Sequence, residues 1–239
     1  MKALLTIIAL AFATITASNA QKKELVAGVN AHYQVNVKTS AGRFELKLFN
    51  DTPKHRDNFV KLCNDKFYDH ILFHRVIKDF MIQCGDPTSI DALATVTYGD
   101  NDSGYKIDQE IQPQYFHKKG MLAAAREPDA ENPTRQSSGS HFYIVVGKIQ
   151  TDSTLNVARE RLRKSNGAEI TPDREQIYRT VGGAPHLDGG YTIFGEIISG
   201  QKVVDNINAQ KTHKSNDRPL EDVYIISCEV KLVEDKNKK

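Results

Sequence analysis

The chain has 239 residues, 39% of them apolar and 26% charged, with a formal net charge of +2. That length holds one large domain or two small ones, and the composition is that of a folded globular protein rather than a disordered one. So small a charge gives no reason to expect nucleic acid or an anionic surface as a partner.

In chain order, the first segment is Lys2, an apolar run from Ala3 to Ala17, then Ser18-Asn19-Ala20. A basic start, a short apolar core and small residues before a cut predict a secretory signal peptide over 1–20, leaving Gln21 first. The run is shorter than the roughly 20 residues of a membrane-spanning helix. An exported chain 21–239 with no membrane association after cleavage is therefore expected. Removing Lys2 lowers the net charge to +1.

Tyr33, Val35 and Val37 alternate with polar residues, as do Phe44, Leu46 and Leu48, and Thr39-Ser40-Ala41-Gly42 lies between the two runs. This is a β-hairpin with one buried face. Thr52 is placed to cap a helix and Pro53 suits its first position, so the spacing of Phe59, Leu62 and Cys63 predicts a helix over about 53–63. Val76-Ile77 and Phe80-Met81-Ile82 read as strands broken at Lys78-Asp79. Residues 98–119 read as surface loop, and strands follow at about 120–125, 142–146, 191–198 and 223–233. A second helix is expected over about 200–209. Many strands of antiparallel type framed by two helices favour an all-β fold in a closed or nearly closed barrel, because closure removes sticky edges.

The segment Lys148–Pro185 breaks the strand rhythm. Leu155, Ala158 and Leu162 share one helical face, and Thr171-Pro172 opens a second pattern with Ile177 and Val181. An inserted helical pair over about 148–185 is predicted, either a surface loop without a role of its own or an element beside the site. The end, 234–239, reads as a flexible tail. Cys63, Cys84 and Cys228 are too widely spaced for a metal site and lie in apolar segments, as core thiols do, although an exported chain could oxidise a pair.

Three segments carry chemistry: Phe73-His74-Arg75-Val76-Ile77 with Phe80-Met81-Ile82-Gln83, then Ser138 to Ile144, then His186 to Tyr191 with Phe194-Gly195. Together they resemble the cyclophilin family of peptidyl-prolyl cis/trans isomerases across most of residues 30–233, with 148–185 as an insertion. The resemblance implies a closed eight-stranded antiparallel barrel capped by two helices, with a groove on its outside. It implies that Arg75 is catalytic and oriented by Gln83. It also implies that Phe80, Met81, Tyr143 and Leu187 hold the proline, and that Ala125 and Arg126 clamp the extended substrate through their backbone. Three further substrate-binding positions depart from the family's best-known pattern: His141 stands for a glutamine, His186 for a tryptophan and Tyr191 for a histidine. Arg126 replaces an asparagine, and its charge favours an acidic residue beside the proline if the side chain faces the groove. His74 is read as structural and hydrogen-bonded inside the barrel, because isomerisation moves no proton.

No cofactor or metal is called for. The expected partners are proline-containing segments of folding exported proteins, met by a monomer in the periplasm of a Gram-negative bacterium. Two other readings are a binding module that grips proline-containing loops, with turnover incidental, and a hydrolase or metalloenzyme built on His74, His141 and His186. The second lacks any nucleophile motif or metal-ligand spacing.

Overall fold

The computed structural model describes residues 24–235. The expected signal peptide and the end of the expected tail, 236–239, lie outside them. Strands β1 (Ala31–Thr39) and β2 (Gly42–Leu48) form the predicted hairpin, with Val35, Val37, Phe44 and Leu46 buried on its inner face. Helix α1 (Pro53–Asn64) follows, with Pro53 at its first position. Thr52 does not cap it. The carboxylate of Glu110, from a distant loop, accepts the backbone N–H groups of Lys54 and His55 at 3.0 and 2.9 Å, placing negative charge at the helix's positive end.

Next come β3 (Arg75–Ile77), β4 (Met81–Cys84), the two-residue β5 (Lys106–Ile107), β6 (Met121–Ala124), β7 (Ser137–Ser138) and β8 (Phe142–Val145). The insertion supplies α2 (Asp152–Ser165) and α3 (Pro172–Thr180). The chain ends with β9 (Ile193–Ser199), α4 (Gln201–Asn208) and β10 (Ile225–Glu234). Strands β5 and β7 form a separate ribbon. The last strand runs one residue into the segment expected as tail, and Asp235 beyond it bonds Nδ1 of His32 at 2.6 Å.

The main sheet has eight strands in the order β10-β1-β2-β9-β6-β8-β4-β3, every pair antiparallel. It is not the closed barrel expected: β3 and β10, its two edges, share no ladder. The start of β10 faces residues 70–73, which precede β3 instead of belonging to it. There the chain makes one isolated bridge, Leu72 to Tyr224, and single backbone bonds such as Phe73 N–H to Val223 O at 2.8 Å. His70 has a left-handed φ of 66°, so the approach to β3 is bent and cannot extend the pairing. The open edge is covered by irregular chain rather than removed by closure.

Pleating sorts the side chains of the central strands. Ile82, Leu122, Phe142 and Ile144 join the main core with Phe44, Phe59 and Tyr68, while Met81, Met121, Ala123, Tyr143 and Val145 pack together on the opposite face. Both faces are covered, so these strands read as continuous apolar runs without alternation. The insertion has a small core of its own, Leu155, Ala158, Leu162, Ile170 and Tyr178. The three predicted residues of α2 are there, but in α3 the buried residue is Tyr178, and Val181 is exposed. The insertion returns at Gly183, which bridges both Lys118 and Lys148. Its φ is +148° and a Cβ would stand 2.2 Å from His117 O, so only glycine permits this close crossing.

Candidate active site

Strand register builds the site. Arg75 lies directly opposite Gln83, Gln83 opposite Tyr143, and Tyr143 opposite Ala123. Directly paired residues of neighbouring strands point to the same face, so this row puts a cation, an amide and a phenol ring side by side on the outer face of the sheet. Arg75 Nη1 donates to Gln83 Oε1 at 3.3 Å, and Arg75 Nε is 3.8 Å from an Asp217 carboxylate oxygen. The Arg75 side chain is 45% exposed. An arginine embedded in apolar sequence is therefore not buried: its strand neighbours face the core and its guanidinium stands at the rim of a groove.

That groove contains a cavity of about 130 Å³. Arg75 and Gln83 form one wall. Phe80, Met81, Tyr143 and Leu187 supply its apolar lining, and Ala125, Arg126 and Tyr191 complete it. The other two sequence-predicted residues stand outside it. His141 lines an adjoining cavity of about 350 Å³ that shares Gln83, Ala125 and Arg126, and its Nε2 bonds Asn101 O at 2.6 Å. His186 lies across Phe80, ring centroids 5.4 Å apart, and lines a third cavity.

Arg126 does not point to solvent. Its side chain is 7% exposed, donates from Nε to Gly190 O at 2.9 Å, lies 4.7 Å from the Tyr191 ring centroid and pairs with Asp129 at 2.7 Å. Its charge is thus largely answered within the protein and leaves little attraction for an acidic substrate residue. Of the backbone pair, Ala125 is already used: its N–H bonds His141 O and its C=O accepts from Ser138 N–H. The N–H and C=O of Arg126 make no hydrogen bond among the described residues, so Arg126 is the position that can pair with a passing chain.

Sequence reading missed the support beneath the groove. Tyr143 is buried, which pushes its phenol pKa well up and keeps it neutral, and its OH meets His117 Nε2 at 2.9 Å. His117 Nδ1 bonds Asp188 Oδ1 at 3.0 Å. Asp188 also accepts the His117 backbone N–H and, through both oxygens, the Tyr178 hydroxyl, each at 2.8 Å. With Nδ1–H donating to Asp188, Nε2 is left to accept a hydrogen bond from the neutral Tyr143 hydroxyl. Asp188 follows the pocket residue Leu187 directly. This carboxyl group therefore ties the pocket wall to the floor on one side and to inserted helix α3 on the other. The signal was a charged residue inside the Leu187–Tyr191 segment and a tyrosine one position beyond the apolar Ile177.

His74 is buried as predicted but not hydrogen-bonded as predicted: among the described residues neither ring nitrogen has a partner. Its ring lies 5.2 Å from that of His141. Burial first, and His141 second, lower its pKa to about 3, and burial with nearby Arg161 lowers that of His186 to about 4. Both folded values lie below the unfolded one, so acid favours the unfolded chain and stability falls as pH drops below 6.5. Between pH 7.5 and 5 each ring should remove about 2 kcal/mol of unfolding free energy. Urea midpoints at the two pH values measure this, and equal midpoints would mean that neither ring is held neutral.

A shallow apolar pocket, a guanidinium at its rim and a free backbone edge beside it define a site for an extended peptide carrying one compact apolar ring. The comparisons agree with that class. The chain matches the family "Cyclophilin type peptidyl-prolyl cis-trans isomerase/CLD" over residues 34–230. It is 35% identical over 198 residues to a Staphylococcus haemolyticus protein named "Putative peptidyl-prolyl cis-trans isomerase", covering 82% of this chain and 90% of that one. It is 34% identical to a Streptococcus pyogenes "Putative bifunctional phosphatase/peptidyl-prolyl cis-trans isomerase", of which it spans 38%. A Cryptosporidium parvum cyclophilin type isomerase, solved in the presence of the dipeptide Ala-Pro, superimposes with a TM-score of 0.57 at 25% identity, covering 85% of this chain and 99% of that one. The chain belongs to the cyclophilin-type peptidyl-prolyl cis-trans isomerases, enzymes that rotate X–Pro peptide bonds.

Proposed function

We propose that Arg75 is the catalytic group and that the Phe80–Met81–Tyr143–Leu187 pocket holds the proline ring of an exported client protein. An X–Pro bond turns slowly because rotation breaks amide resonance, a barrier of roughly 18–20 kcal/mol. In the twisted state the proline nitrogen becomes pyramidal and exposes a lone pair. A donor placed there is satisfied only while the bond is twisted, so it stabilises the transition state and not the planar ground states. Arginine suits this because it stays charged and presents several donors in a rigid plane. The apolar pocket fixes the ring while the preceding carbonyl swings, and no proton, nucleophile or cofactor is required.

The observation that carries this reading is the cross-strand row that sets Arg75, held by Gln83, at the rim of a cavity that Phe80, Met81, Tyr143 and Leu187 share. The test is a proline-peptide isomerisation assay on residues 21–239 with Arg75→Ala alongside. Export to the periplasm, and a role there in folding proteins, rest on the N-terminal segment. Expression in a Gram-negative host should give a periplasmic chain whose intact mass starts at Gln21, and a full-length cytoplasmic product would remove the exported assignment.

A further inference from the structure

The groove does not end at the proline pocket. Phe80 and His186, whose rings meet at a tilt of 36°, also form the near wall of the third cavity, of about 350 Å³, whose far wall is inserted helix α2. Val157 and Arg161, four residues apart on α2, face it, and both are exposed. Lys148 and Asp79 stand at its margins. Other arginines of the insertion are engaged: Arg159 and Arg179 with Glu175, and Arg163 with Glu160. Arg161 and Lys148 have no ion-pair partner among the described residues. Two unpaired cations against one carboxylate, beside apolar Phe80 and Val157, make a surface that attracts an anion with an apolar stem. The neutral His186 ring adds no charge of its own.

We propose that α2 builds an accessory subsite that takes the peptide residues following the proline and favours an acidic side chain there. The direction starts from proline chemistry. Proline has no N–H, so backbone pairing with the free N–H and C=O of Arg126 falls to a neighbouring residue, and the proposal seats the residue before proline there. Arg126 belongs to the side of the pocket shared with the cavity that His141 lines, whereas the cavity that His186 lines meets the pocket at Phe80. A chain paired at Arg126, with its proline in the pocket, leaves across Phe80 and His186 onto α2. The inference rests on the proline-pocket assignment above and extends it: the insertion widens the enzyme's recognition from a dipeptide to a longer segment.

The test is kcat/KM for a peptide series with Glu, Gln or Lys at the second and third positions after proline, and a matched series with the same residues before proline. Wild-type enzyme should prefer Glu over Lys after proline by ~5-fold at low salt, the scale of two partly exposed ion pairs, and the preference should shrink at high salt. The double charge reversal Lys148→Glu with Arg161→Glu should invert the ratio. Equal rates for Glu and Lys peptides in an active wild-type enzyme overturn the subsite, as does a preference that survives the double reversal or that appears equally before proline. Failure of the pocket assignment reads differently, as full turnover by Arg75→Ala on every peptide.

Discussion

Replacing Arg75 by Ala should lower kcat/KM for a proline peptide by about 100- to 1000-fold, the loss seen when one preorganised transition-state donor is removed. The urea midpoint should not move, because the side chain is half-exposed and its Asp217 contact, at 3.8 Å, is long and open to water. Arg75→Lys keeps the charge but loses the planar fork that can reach Gln83 Oε1 and the twisted nitrogen together, so most of the loss should remain. Gln83→Ala removes only the restraint on the guanidinium and should cost about tenfold, since a positioning contact is worth about one ordinary hydrogen bond. An Arg75→Ala enzyme with wild-type turnover would leave the groove a binding surface with no catalytic group.

The largest effect on stability should come from Asp188. Its carboxyl group is fully buried and accepts hydrogen bonds from three donors, the His117 backbone, the His117 ring and the Tyr178 hydroxyl, the last shared between both oxygens. Asp188→Ala leaves all three donors buried and unpaired and should cost about 3–5 kcal/mol in denaturant unfolding. Tyr178→Phe removes one donor and leaves the carboxyl group with its His117 bonds, and should cost about 1 kcal/mol. The two losses should not add, because both act through one network. An Asp188→Ala protein as stable as wild type would show that the pocket wall is held by packing alone. The same network makes deletion of the insertion a poor probe of its role, since the cut removes the Tyr178 hydroxyl from beneath the groove.

Residues close together in sequence were legible, because the signals that reveal them are local. The hairpin at 31–48 and the buried stripe Leu155–Ala158–Leu162 follow from periodicities of two and about 3.6. The Arg75-to-Gln83 window is set by the turn between β3 and β4. Nine of the eleven residues expected at the site do line one cavity. His141 and His186 fall in the two cavities on either side, because a motif gives order along the chain and not the distance across a groove.

What the sequence settled by itself was which residues face a core, where most strands and helices run, and which short window carries the arginine. Tertiary structure alone decided whether the sheet closes, because the three-residue β3 and the distant ten-residue β10 must meet in register, and a bent approach at His70 prevents it. It alone decided that Glu110 rather than Thr52 caps α1, that Arg126 folds onto Tyr191, and that Tyr178 reaches Asp188. Each is a polar contact whose partner is chosen by packing, and a hydrogen-bonding side chain reads the same in sequence whether it meets water or a buried acceptor.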